Sequence, residues 1–105
     1  MNEAQYLETV AELFSLLTDR VELADHEQLF DVDCVPGIVT ITAPSGKQFV
    51  INQHLPTKQI WVSSPISGAG HFAFDSSKSI WVNSSGHELC EVLKSDLLSY
   101  GLTIS

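Results

Sequence analysis

Between residues 4 and 23 apolar side chains recur every three or four positions, at Tyr6, Val10, Leu13, Phe14, Leu17 and Val21. That is the spacing of one face of an α-helix. At 100° per residue, Glu8, Glu12, Asp19 and Glu22 fall within an arc of about 80° on the opposite side. The segment therefore predicts an amphipathic helix with a core stripe and a carboxylate stripe. Asp25-His26-Glu27 follows as a polar connection.

The period then changes to two. Phe30-Asp31-Val32-Asp33-Cys34 alternates, which turns Phe30, Val32 and Cys34 inward and Asp31 and Asp33 outward. Cys34 is expected as a small core residue. Pro36-Gly37 reads as a turn, and Val39 to Thr42 alternates again. A second turn at Pro44–Lys47 closes a hairpin onto a strand from Gln48 to Asn52, with Phe49 and Ile51 inward. After Pro56, Gln59 to Ser63 predicts a fourth strand with Ile60 and Val62 inward. Ser64 to Gly70 reads as a loop. His71–Asp75 and Ser79–Asn83 predict short strands around a polar turn, with Trp81 mostly in the core. Ser85-Gly86-His87-Glu88 has the spacing of a capping box. The helix it opens is carried by Leu89, Val92, Leu93, Leu97 and Tyr100 and stopped by Gly101.

Helix, about six strands, helix is the whole chain, so one domain over residues 1–105 is expected. Connections this short make the sheet mostly antiparallel. Each strand has one apolar face, which the two helices can cover together. The class is α+β, a two-layer α-β sandwich with both terminal helices on one face of the sheet and the other face open to solvent.

Composition removes several classes of protein. Hydrophobic residues are 44% of the chain, enough for a core. No apolar stretch approaches the ~20 residues of a membrane helix, and there is neither a secretory signal nor an organelle leader, so no membrane partner is expected. Cys34 and Cys90 form no CxxC, which excludes a disulfide scaffold and a thiolate zinc finger. A reducing, cytoplasmic location is expected.

Thirteen acids against five bases give a net charge of −8. Residues 1–33 hold nine of the acids (Glu3, Glu8, Glu12, Asp19, Glu22, Asp25, Glu27, Asp31 and Asp33) and one base, Arg20, so the first third carries the entire net charge. Beyond it, four lysines and four acids cancel. A nucleic-acid partner is excluded by this sign. If the first strand lies beside the first helix at the sheet edge, the carboxylates converge into one ridge. Its self-repulsion is relieved by a cation or a basic partner, and oxygen donors favour hard cations. The plainer alternative is a solvated face that confers solubility.

On the open sheet face, Val50, Asn52, Gln59 and Trp61 point outward. An exposed tryptophan flanked by amides has the chemistry of an interface anchor; the alternative is a tryptophan half-covered by a loop. His26, His54, His71 and His87 are scattered and read as surface residues, with no ligand spacing among them. No nucleophile motif, phosphate loop or paired acid and base is visible, so a binding or regulatory protein is favoured over an enzyme.

The run Val50-Ile51-Asn52-Gln53-His54-Leu55-Pro56-Thr57-Lys58-Gln59-Ile60-Trp61-Val62-Ser63-Ser64-Pro65 closely resembles the signature of the frataxins, centred on Asn-x-x-x-Pro-x-x-Gln-Ile-Trp. The acid-rich first helix, the Asp-x-Asp strand and an aromatic strand before Trp81 agree with it. The chain looks like the bacterial branch, CyaY. The resemblance implies a frataxin-fold sandwich and an iron-binding role in iron–sulfur cluster assembly, with Fe2+ and Fe3+ held weakly at the acidic ridge. It also implies binding to a cysteine desulfurase and its scaffold protein, whose rate it modulates, and a monomer that metal can drive into oligomers. Carried over by position, the metal-associated acids are Asp19, Glu22, Asp25, Asp31 and Asp33, with Glu12 and Glu27 nearby, and the partner-facing residues are Asn52, Gln59 and Trp61. Thr57 and His71 depart from the pattern of many eukaryotic frataxins, which carry Asn and Arg there. Two alternatives remain beside the iron-binding regulator: an acidic interaction module with incidental metal binding, and a ferroxidase.

Overall fold

The computed structural model describes all 105 residues. Helix α1 spans Glu3–Ala24. Six strands follow: β1 Asp31–Val35, β2 Ile38–Thr42, β3 Gln48–His54, β4 Gln59–Ser64, β5 Gly68–Asp75 and β6 Ile80–Val82. Helix α2 spans Leu89–Leu98. Every strand pairs antiparallel with its neighbour in chain order, so β1 and β6 are the edges. This is the α+β sandwich that the hydrophobic pattern predicts.

The core lies between the helices and one sheet face. Tyr6, Val10, Phe14, Leu17 and Val21 of α1 pack with Leu89, Leu93 and Leu97 of α2 over Val39, Ile41, Phe49, Ile51, Ile60 and Phe72. Trp81 joins them, 3% exposed, with Tyr6 edge-on at 6.1 Å and Phe74 at 5.2 Å. Beyond α2, Leu102 and Ile104 are also buried. Helix α1 opens on a capping box: the Asn2 side chain accepts from Gln5 N, and the Gln5 side chain accepts from Asn2 N.

Two buried polar links fasten the layers. The Tyr6 hydroxyl donates to the Gln59 carbonyl at 2.6 Å and accepts from His54 N at 2.9 Å, joining α1 to both sides of the β3–β4 connection. Asp96 of α2 accepts from the hydroxyls of Ser64, at 2.7 Å, and Ser67, at 2.5 Å. The Ser64 oxygen in turn accepts from the backbone of Ile66 and Ser67, which fixes the β4–β5 turn beneath α2.

Three expectations need correction. Cys34 is exposed, because β1 is an edge strand whose far end α1 does not cover. It lines an open groove of about 480 Å³ between α1 and the β1–β2 turn. The expected loop at 64–70 is only a turn, with β5 beginning at Gly68. The glycines read as loop residues, yet Gly70 is in the strand for a packing reason: a Cβ there would come within 3.0 Å of the Phe72 ring. Finally, the expected capping box at 85–88 does not form. Gly86, at φ +82°, belongs to a turn organised by the Asn83 side chain, and Glu88 itself caps α2 by accepting from Cys90 N and Glu91 N.

Tyr6→Phe removes the hydroxyl and strands a carbonyl and an amide. A loss of about 1–3 kcal/mol in urea unfolding is expected. Unchanged stability would show that water replaces the hydroxyl.

Candidate functional site

Two surfaces carry the candidate residues. The first is acidic. Glu12 and Asp19 share a shallow surface patch on the outer side of α1 with Ser15 and Leu16. Glu22 and Asp25 border a dip of about 410 Å³ between the end of α1 and β1, with Gln28, Phe30 and Val32. Glu27 is exposed in the connection, and Asp31 and Asp33 are exposed on β1. The carboxylates do not converge as the sequence suggests. Asp31 and Asp33 pair with Thr42 and Thr40, on the open side of the sheet, while on α1 Glu12 lies on the outer surface and Asp19 and Glu22 border the clefts beside β1. They form a band around one edge, and no three acid, thiol or imidazole groups are placed to hold one ion. Asp25 has a structural task besides: its two oxygens accept from Leu29 N at 3.0 Å and Phe30 N at 2.8 Å, closing the turn into β1.

The second surface is the open sheet face. Register places Ile38, Asn52, Trp61 and His71 side by side across four strands. Asn52 is exposed, while Gln59 and Trp61 are half-buried. Trp61 is covered by two imidazoles, His54 and His71, which the sequence predicts only as scattered surface residues. The His54 ring stacks on it at 3.6 Å and the His71 ring at 4.2 Å, each 10° from parallel. Trp61 Nε1 donates to Gln59 Oε1 at 3.0 Å, and the Thr57 hydroxyl donates to the same oxygen at 3.1 Å. All three candidate partner residues thus lie on one face, and Gln59 and Trp61 are held in place by bonds among themselves. Strand parity could have added the histidines: position 54 shares the side of 52, and 71 pairs with 61 across β4 and β5.

Two further titratable groups are held in their neutral forms. Burial pushes the Cys90 thiol up to about 12, and the neighbouring Glu88 charge adds to it, so little thiolate forms near neutral pH. Desolvation raises the Tyr6 phenol above its usual range, against a smaller opposing effect from the His54 amide. Neither is poised for proton transfer.

With this geometry in place, comparison with known proteins decides the lineage. The frataxin-like domain family matches residues 1–101. The chain belongs to the frataxin family. It is similar to a mitochondrial frataxin of Dictyostelium discoideum, 37% identical over 92 residues, which cover 84% of this chain and 48% of that protein. It is also similar to the iron-sulfur cluster assembly protein CyaY of Thioalkalivibrio sulfidiphilus, 29% identical over 87 residues, covering 82% and 77%. The chain thus spans about half the length of the mitochondrial relative. A solved frataxin from Psychromonas ingrahamii, placed in the CyaY family, superposes with a TM-score of 0.87 at 18% identity, covering 100% of this chain and 97% of that one, and so shares the fold. A trimeric frataxin from Saccharomyces cerevisiae complexed with ferrous iron superposes at 0.65 with 28% identity, covering 95% and 86%. The acidic band thus reaches the open face only through Asp31 and Asp33 on the edge strand β1, three strands from Trp61.

Trp61→Ala is expected to cost about 1 kcal/mol, the scale of lost stacking at a half-exposed site. Ile60→Ala, on the buried side of the same strand, should cost about 2–5 kcal/mol. Equal losses in paired denaturation curves would make Trp61 a core residue. Thiol labelling of the folded protein should modify Cys34 rapidly and the half-buried, less acidic Cys90 far more slowly. Two fast thiols would contradict the burial of Cys90.

Proposed function

We propose that this protein is an iron-binding regulator of iron–sulfur cluster assembly that engages a cysteine desulfurase and its scaffold protein and can pass iron to them. The observation that carries this reading is the segregation of its surface. The net negative charge lies in residues 1–33, in a band around one edge, while the adjoining sheet face presents a held tryptophan among neutral side chains. Such a division suits a basic partner surface steered by the band and a docking contact anchored at Trp61, with Asn52 and Gln59 beside it. The CyaY relative is named for cluster assembly, and the yeast relative is described with ferrous iron.

Iron here is cargo or effector. The donors of the band are carboxylate oxygens, which suit a hard cation. Glu12, Asp19, Glu22, Glu27, Asp31 and Asp33 would attract it with much of its water retained, and Asp25 would contribute only what its backbone bonds leave free. In this reading the band serves as a loose binding surface for such a cation. Two free thiols support a reducing compartment such as the cytoplasm. The lack of a three-group ion site favours one second reading, an acidic docking module on which metal binding is incidental.

An anaerobic titration separates the two. Fe(II) should move the backbone resonances of residues 19–33 at concentrations where Mg(II) does not. Equal shifts with either ion would favour the docking module. Replacing Glu22 with Gln and Asp31 with Asn should weaken Fe(II) binding by about two- to fivefold per charge, the scale of one exposed ionic contact. The same changes should raise the melting temperature without metal, since they relieve repulsion. A lower melting temperature would contradict a self-repelling band.

A further inference from the structure

The imidazole–indole–imidazole stack on the open face has a consequence beyond anchoring. Its hydrogen bonds fix the tautomer of His54. Gln59 Oε1 accepts from both Trp61 Nε1 and Thr57 Oγ1, so the single hydroxyl proton of Thr57 is committed to it. The 2.8 Å contact between Thr57 Oγ1 and His54 Nδ1 must then be donated by the imidazole. Nδ1 carries the proton and Nε2 is the basic nitrogen. A second proton can go onto Nε2 while every bond in the chain stays intact.

The surroundings make that proton matter. No other titratable side chain stands on the open side of β2, β3, β4 or β6. On β5 the sole other one is Asp75, four residues from His71. Its carboxylate is occupied by Ser77, whose hydroxyl bond holds it below the usual range, so it stays ionised while histidines titrate. Lys58 ends the turn before β4, Lys78 lies in the β5–β6 turn, and Asp31 and Asp33 stand on the edge strand β1. From the covered side the stack's strands meet two titratable groups: the Tyr6 hydroxyl, through the His54 amide and the Gln59 carbonyl, and Asp96, through the Ser64 hydroxyl at the far end of β4. The centre of the face is therefore neutral when both imidazoles are neutral, and it gains up to two positive charges when they are not. Histidine makes that change between about pH 5 and 8. Imidazolium on either side of the indole also grips it by cation–π attraction. A partner covering Trp61 takes both ring edges out of water, and burying an uncompensated cation costs far more than burying a neutral ring.

We propose that His54 and His71 gate docking at Trp61 by protonation: with both rings neutral the face accepts its partner, and with both protonated it is closed. This rests on the reading of the Trp61 face as a docking surface. The test measures affinity for the desulfurase–scaffold complex from pH 8 to pH 6, for the native protein and for the double variant His54→Gln, His71→Gln. Native affinity should fall by about tenfold or more across this range, as two required neutral histidines dictate, while the double variant should lose most of that dependence. Identical profiles in the two proteins overturn the gate. Affinity that rises on acidification overturns its direction and points to a partner carboxylate between the rings. In parallel, the Trp61 indole N–H resonance of the free protein is followed from pH 8 to pH 5.5, with the buried Trp81 indole as internal reference. It should move in the native protein and stay still in the double variant, and a Trp61 signal that does not move overturns the gate. Absence of binding at pH 8 would instead sink the assembly reading, and the indole titration then decides alone whether the stack responds to protons.

Discussion

Everything else in this molecule depends on the sheet being covered on one side only. Two helices supply enough apolar surface to bury one face of six antiparallel strands. Side chains alternate across a strand, so packing Phe49, Ile51, Ile60 and Phe72 beneath the helices forces Val50, Asn52, Gln59, Trp61 and His71 to the other side. The open face is thus produced by the core. It is made of regular strand and fastened from behind by the Tyr6 hydroxyl, so its side chains project from a braced base.

The same constraint explains how the charge is distributed. Helix α1 can present carboxylates only on the side away from the core, and β1 only on the side away from α1. The acids therefore wrap around an edge and cannot close on one ion. A band of this kind attracts cations and basic surfaces over a distance set by salt, and it gives up any single ion easily. The centre of the tryptophan face carries none of those acids, so proton uptake by its two imidazoles is the largest change in charge available there.

Most of the architecture was legible from periodicity. The stripe of α1, the inward and outward sets of β2 to β4 and the buried Trp81 all follow from counting residues. What escaped the reading involved contacts between distant positions. Cys34 obeys the alternation of β1, but whether an edge strand's inward face is covered depends on where the helix ends relative to it. Gly70 looked like a loop residue because composition cannot show that the Phe72 ring needs the missing side chain, and Gly68 opens β5 at a φ of +82°. Glu88 replaced the expected cap because Gly86 takes a left-handed conformation within the Asn83 turn. At the candidate site, Asn52, Gln59 and Trp61 were legible on one face. The two histidines were not, since His54 and His71 are seventeen positions apart and meet only through the register of three strands. Asp25 looked like any other acid of the band, and its bonds to Leu29 and Phe30 emerge only once the chain turns.

The most direct test of the division into an acidic band and an open docking face is resonance mapping of the isotope-labelled protein bound to the desulfurase–scaffold complex. The account predicts broadening or shifts at the carboxylate residues of α1 and β1, and at Asn52, Gln59, Trp61 and His71, with α2 and the segment through Ile104 unaffected. Perturbations centred on α2, or on the groove beside Cys34, would contradict it.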